Sequence, residues 1–141
     1  MKSIRDAVWN APCDAIFILV NTDAYAMGTA DNPRTPVVFV HEFGHSFAGL
    51  ADEYFSSEVA YQDFYNLKYE PWEPNITTLV NFDAKWKDLL PANTPVPTPL
   101  DDAHKDKAGV FEGGGYIAKG IYRPMDHCMM RDYAPFCPAC S

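Results

Sequence analysis

The stretch HEFGHSFAGLADEY at 41–54 constrains this chain more than any other. Two histidines stand four apart, a spacing that a helix turns into one face, with the imidazoles about 6 Å apart along its axis. The helix has its own start and stop signals. Thr35 can cap it, and Pro36 at the first helical position gives up a donor that had no partner there. Gly49 suits a left-handed ending. The pattern predicts a helix through VVFVHEFGHSFA that stops at about Gly49.

On such a helix His41 and His45 can offer two ring nitrogens to one ion at about 2 Å. Glu42 is rotated aside, so it reaches a water on the ion rather than the ion. It can take that water's proton and pass it to a leaving amine. A third ligand is required. Were the helix to continue, Asp52 would face the same way as His45 but roughly 10 Å further on. A turn at Gly49, which tolerates positive φ, can bring the Asp52 carboxylate back. Glu53, one position later, should point elsewhere and serve to orient a ligand. The plain alternative, two core histidines with satisfied nitrogens, accounts for neither the glycine stop nor the trailing carboxylate.

At 141 residues and 48% apolar composition the chain suits one globular domain. Its net charge of −8 argues against nucleic acid and against an anionic membrane surface. The longest apolar run, AIFILV at 15–20, is too short to span a bilayer. MKSIRDAVWN lacks the apolar stretch of a signal peptide, so the chain is either cytoplasmic or a mature or excised piece of an exported protein.

A short helix at 2–10 should lead into a strand in DAIFILVN, followed by a short edge strand through Ala24–Met27. Residues 54–75 are aromatic and acidic, an irregular cover with a helical turn. DAKWKDLL at 83–90 resembles a short amphipathic helix, whereas the prolines of PANTPVPTPLDD at 91–102 exclude regular structure. VFEGGGYIAKGIYRP at 110–124 reads as a hairpin or bulged loop. Of four cysteines, Cys128, Cys137 and Cys140 crowd the last fourteen residues and Cys13 stands alone. Structural cysteines, bridged or free, are the default reading. A structural zinc on some of them is a second, and a redox Cys137-Pro-Ala-Cys140 lacks the strand–helix context that chemistry needs.

HEFGHSFAGLADEY resembles the HExxHxxxGxxDE motif of the bacterial immunoglobulin A peptidase family of zinc metallopeptidases. EPWEPNITTLV, the Lys-Trp pair of DAKWKDLL, GVFEGGGYIAKGIYRPMDHCMMRD and FCPAC are similar to further blocks of that family, so the resemblance spans about 14–140. It implies an α+β, zincin- or metzincin-like catalytic domain, with the active-site helix packed on a small sheet. The family's N-terminal strands appear only in part here, so a single domain at 1–141 with an incomplete sheet is expected. The implied activity is zinc-dependent endopeptidase hydrolysis of protein or peptide substrates through a zinc-bound water activated by a glutamate. The parent protein would be secreted or extracytoplasmic.

Residue by residue, the resemblance makes His41, His45 and Asp52 the Zn2+ ligands and Glu42 the general base. Met130 becomes the apolar floor beneath the metal, with Met129 as runner-up. Tyr122 and Arg123 are candidates for steadying the oxyanion or holding substrate. The alternative for them is a buried tyrosine and a carboxylate-paired arginine. His127 is a weaker rival to Asp52, and Glu112 reads as a packing residue. The edge strand around Tyr25 and Gly28 could pair with an extended peptide. Two other functions stay open: a zinc-stabilised protein- or glycan-binding module without catalysis, and a zinc hydrolase of small amides.

Overall fold

The computed structural model describes residues 33–55 and 63–141. The chain divides into two compact units, Met1–Pro36 and Val37–Ser141, and the account below concerns the second and the helix that enters it. The expected helix at 2–10, the strand in DAIFILVN, and the edge strand with Tyr25 and Gly28 lie outside the described residues.

What is described is a small α+β arrangement of one long helix, two short 3-10 turns, a two-stranded sheet and a four-residue helix. The long helix runs Thr35–Ala48, as its start and stop signals predict. It ends where Gly49 adopts φ +64. There the Gly49 N–H bonds the His45 carbonyl at 3.2 Å, and the Leu50 N–H reaches the Gly44 carbonyl at 3.2 Å. These bonds occupy carbonyls that the helix end would otherwise leave orphaned.

Gly44 has a different reason to be glycine. A Cβ there would lie 2.8 Å from Met130 Sδ and 3.4 Å from Leu50 Cδ1, so the helix rests directly on these side chains. They belong to one of two small cores, in which Leu50, Cys128, Met130 and Cys137 are buried and Met125 and Phe136 pack against them. The second core gathers Ala51, Ile76, Ile117 and Ile121, with Tyr65 at its side.

The strands Phe111–Gly114 (β1) and Ile117–Arg123 (β2) pair antiparallel, with a register shift between Glu112 and Gly114. The bulged hairpin expected from the glycine run is therefore formed. At Gly44 the described neighbours of the long helix are Met130, Leu50 and Phe136. The hairpin is tied to the chain just after the helix. Gly115 N–H bonds the Asp52 carbonyl at 2.7 Å and Tyr116 N–H bonds the Tyr54 carbonyl at 2.9 Å.

DAKWKDLL forms two separate 3-10 turns, Phe82–Ala84 and Lys87–Leu89, rather than one helix. Lys85 breaks it, with φ −111 and ψ −146. Its ammonium is drawn 2.6 Å from each of the carbonyls of Pro71 and Glu73, and the next residue, Trp86, sends its indole N–H to the Gly109 carbonyl at 2.8 Å. These long-range anchors outweigh the weak helical preference of eight residues. The proline-rich segment at 91–102 contains neither helix nor strand, as expected.

The Gly49 turn supplies a direct test. Alanine at φ +64 costs about 1–2 kcal/mol. Its Cβ would also meet the Trp72 ring at 2.7 Å, although the ring is 77% exposed and free to swing aside. Gly49→Ala should therefore lower the denaturant midpoint through backbone strain, and loosen Asp52 with it. Chemical denaturation together with metal content checks both effects.

Candidate metal centre

The turn at Gly49 returns the chain past the helix it has just left. His41 Nε2 and His45 Nε2 lie 3.1 Å apart. Asp52 Oδ1 stands 3.0 Å from the first and 3.3 Å from the second. The three atoms form a nearly equilateral triangle. An ion bonded at about 2 Å to each corner of a tetrahedral site sets its ligand atoms about 3.3 Å apart, so the triangle has the right size.

The histidine tautomers are fixed from behind. His41 Nδ1 donates to the Met129 carbonyl at 2.9 Å, and His45 Nδ1 donates to the Leu50 carbonyl at 2.6 Å. With Nδ1 carrying the proton, each neutral ring turns its Nε2 lone pair into the triangle. The third corner is negative. Burial alone would raise the Asp52 carboxyl, but contacts with His41 and His45 and a hydrogen bond from Tyr116 outweigh it and hold it well below the usual carboxylate range. Buried Asp52 Oδ1 accepts no conventional hydrogen bond. The Asp52 carboxylate in turn raises both imidazoles against their burial, so the cluster favours positive charge at its centre, whether as protons on the rings or as a metal ion bound to their Nε2 lone pairs. The residues present therefore fit a divalent metal ion.

Several neighbours were not anticipated from sequence. The Tyr116 hydroxyl donates to Asp52 Oδ2. Burial, and then the Asp52 carboxylate, push that phenol far above its ordinary range, so it remains a donor. The Tyr54 ring lies edge-on to Tyr116 with centroids 5.4 Å apart, and Tyr133 stands edge-on to His41 at 5.4 Å. Tyr116 occupies the hairpin turn at φ +66, and only the pairing of that turn with Asp52 and Tyr54 brings it here.

Glu42 lies on the same helix, half-buried, close enough for its charge to raise His45. Met130 is fully buried beneath Gly44, and its carbonyl accepts the Glu53 N–H at 2.8 Å. Met129 contributes its main chain, through the bond to His41. Tyr122 is half-buried in β2, where its main chain bridges Thr77 at 2.9 and 3.0 Å, and burial raises its hydroxyl. Arg123 is fully buried. Its Nη1 donates to the carbonyls of Glu112 at 2.9 Å and Gly113 at 2.7 Å, and Nη2 lies 3.5 Å from Asp126. That guanidinium clamps β1 and is not open to a ligand, which corrects its expected role in holding substrate. His127 pairs with Asp132 and lies 3.7 Å from Asp126, so its ring is engaged away from the triangle. Glu112 accepts from the Gly120 N–H at 3.1 Å, as a hydrogen-bonding residue should.

Glu53 points away from the histidines. It is fully buried, and burial followed by charge at Cys128 pushes its carboxyl up to about 8. Asn75 donates to its Oε1 at 2.9 Å while gripping both the N–H and the carbonyl of Ala51.

Two histidines and one carboxylate, carried by a helix and its return turn, form a donor group of the kind that can hold a metal ion. The chain belongs to the IgA peptidase M64 family, whose family model matches residues 1–109. It is thus a member of a peptidase family. The matched span contains His41, Glu42, His45 and Asp52 and ends before β1, so Tyr116, Met130 and the three described cysteines lie beyond it. Among curated proteins, none matches the chain. No helix among the described residues is long and apolar enough to cross a membrane.

Proposed function

We propose that this chain is a zinc-dependent endopeptidase of zincin-like build, acting on protein or peptide substrates outside the cytoplasm. The observation that carries the reading is the convergence of two histidine lone pairs and one carboxylate oxygen at 3.0–3.3 Å on a member of a peptidase family. His41, His45 and Asp52 would hold the ion. Zinc, when bound, supplies a Lewis acid that makes water nucleophilic near neutral pH and polarises the scissile carbonyl.

The protein's own residues do the rest. Glu42 accepts the proton of the attacking water and delivers it to the departing amine. The main-chain carbonyls of Met129 and Leu50 hold the histidines in the ligating tautomer. Tyr116 holds Asp52 by its second oxygen, leaving Oδ1 for the ion. Met130 supports the helix under Gly44, which suits an apolar floor. Tyr122 remains the proposed second donor to the developing oxyanion, and Tyr25 and Gly28 the proposed edge for an extended peptide.

The test is casein hydrolysis by the purified chain, before and after zinc is stripped by a chelator. Activity should vanish on stripping and return with added zinc. Zinc bound at the histidine centre with no turnover of any substrate would instead identify a non-catalytic binding module. Turnover of dipeptides but not of casein would identify a hydrolase of small amides.

A further inference from the structure

We propose that Glu53, Cys128, Cys137 and Cys140 form a second metal site, structural in role, that takes a thiophilic divalent cation, zinc by its donor set. One ligand atom from each of the four lies within 4.8 Å of the other three. Tetrahedral zinc with bonds of about 2.3 Å to sulfur sets its sulfurs about 3.8 Å apart, so the cluster needs to contract by roughly 1 Å at most. The donors come from two segments distant in sequence, and the Cys137-Pro-Ala-Cys140 spacing is that of a zinc knuckle. The Cys140 N–H bonds the Cys137 carbonyl at 2.9 Å, which folds the knuckle back on itself.

An independent observation comes from Glu53. Its side chain is fully buried, Cys140 Sγ lies 3.1 Å from Oε1, and Oε2 is buried with no hydrogen-bond partner. Keeping such a carboxylate in a protein interior is costly unless a cation or a proton compensates it. A disulfide between any two of Cys128, Cys137 and Cys140 would leave the third thiol over, and the carboxylate would keep its orphan oxygen. All three are unbridged, and the Cys137 N–H already points at the Cys128 sulfur at 3.5 Å, a contact that favours thiolate. A bound ion would use all four groups, releasing the thiol protons to solvent.

The site has a clear structural task. From Cys128 to Ser141 the only regular element is the helix Met129–Asp132. Yet this segment supplies the Met129 carbonyl to His41 and the Met130 carbonyl to the Glu53 N–H. An ion on Glu53 and the cysteines would pin that segment beside Asp52. The inference stands apart from the peptidase reading, because it concerns different donors.

The experiment uses the full chain purified under reducing conditions and loaded with cobalt(II). A His41→Ala/His45→Ala variant should keep one cobalt per chain with thiolate-to-cobalt charge-transfer absorption. A Cys137→Ser/Cys140→Ser variant should lose that absorption and one ion. Should the cysteine variant fail to fold, alkylation of the unmutated protein decides the matter. Cys128, Cys137 and Cys140 should resist iodoacetamide with zinc bound and react once a chelator is added. Absence of the charge-transfer band in the histidine variant, equal alkylation with and without zinc, or a disulfide among the three by mass spectrometry would each overturn the proposal. Loss of casein hydrolysis with the charge-transfer band retained bears on the histidine centre alone.

Discussion

Glu42→Gln is expected to lower peptide hydrolysis by about 10²–10⁴-fold, the range that a lost general base commonly produces. Glutamine keeps the length and helical preference of glutamate, so the helix Thr35–Ala48 and the spacing of His41 and His45 should persist. The amide cannot accept the proton of an attacking water, which is the one function removed. Metal content should therefore match the parent protein while kcat falls. Steady-state kinetics on casein or a quenched peptide, with zinc measured on the same sample, makes the comparison. If the glutamine variant hydrolysed substrate at the parent rate, Glu42 would not be the base.

Asp52→Ala should have the other large effect, through binding rather than chemistry. Asp52 closes the triangle with Oδ1, receives the Tyr116 hydroxyl on Oδ2 and is only 6% exposed. Losing an outer-shell partner of a ligand weakens a metal by about 10–100-fold, and losing the ligand itself should exceed that. Titration with a competing zinc chelator gives the affinity directly. Total zinc should drop by one ion per chain, while protection of the cysteine thiols stays as it was. A chain that kept its affinity after this change would take its third ligand from elsewhere.

Local patterns carried the helix and half of the site. Thr35, Pro36 and Gly49 act within a turn of their own positions, so the span Thr35–Ala48 follows from short-range rules. The His41, His45 and Asp52 triangle follows in turn, because Asp52 is three residues past the Gly49 turn. What escaped reading depends on contacts far apart in the chain. Sequence directs attention to Tyr122, whereas the tyrosine touching Asp52 is Tyr116, brought there by the hairpin's pairing with residues 52 and 54. Arg123 looks like an available cation until its carbonyl partners on β1 are seen. DAKWKDLL has helical periodicity, but Lys85 and Trp86 are claimed by Pro71, Glu73 and Gly109. The crowding of Cys128, Cys137 and Cys140 was visible, but Glu53, more than seventy positions earlier, had nothing local to mark it as their partner.

Asp52 and Glu53 are neighbours whose side chains leave the main chain on opposite sides, one toward imidazoles and the other toward thiols. Which acid serves which group is therefore a matter of parity, set by the count of residues between the Gly49 turn and the Met130 carbonyl that receives the Glu53 N–H. Removing one residue from that count would bring Glu53 to the place Asp52 holds beside the histidines and Tyr54 to the place Glu53 holds beside the cysteines. A change of phase in three residues would thus disturb both centres at once while leaving every donor type in the protein.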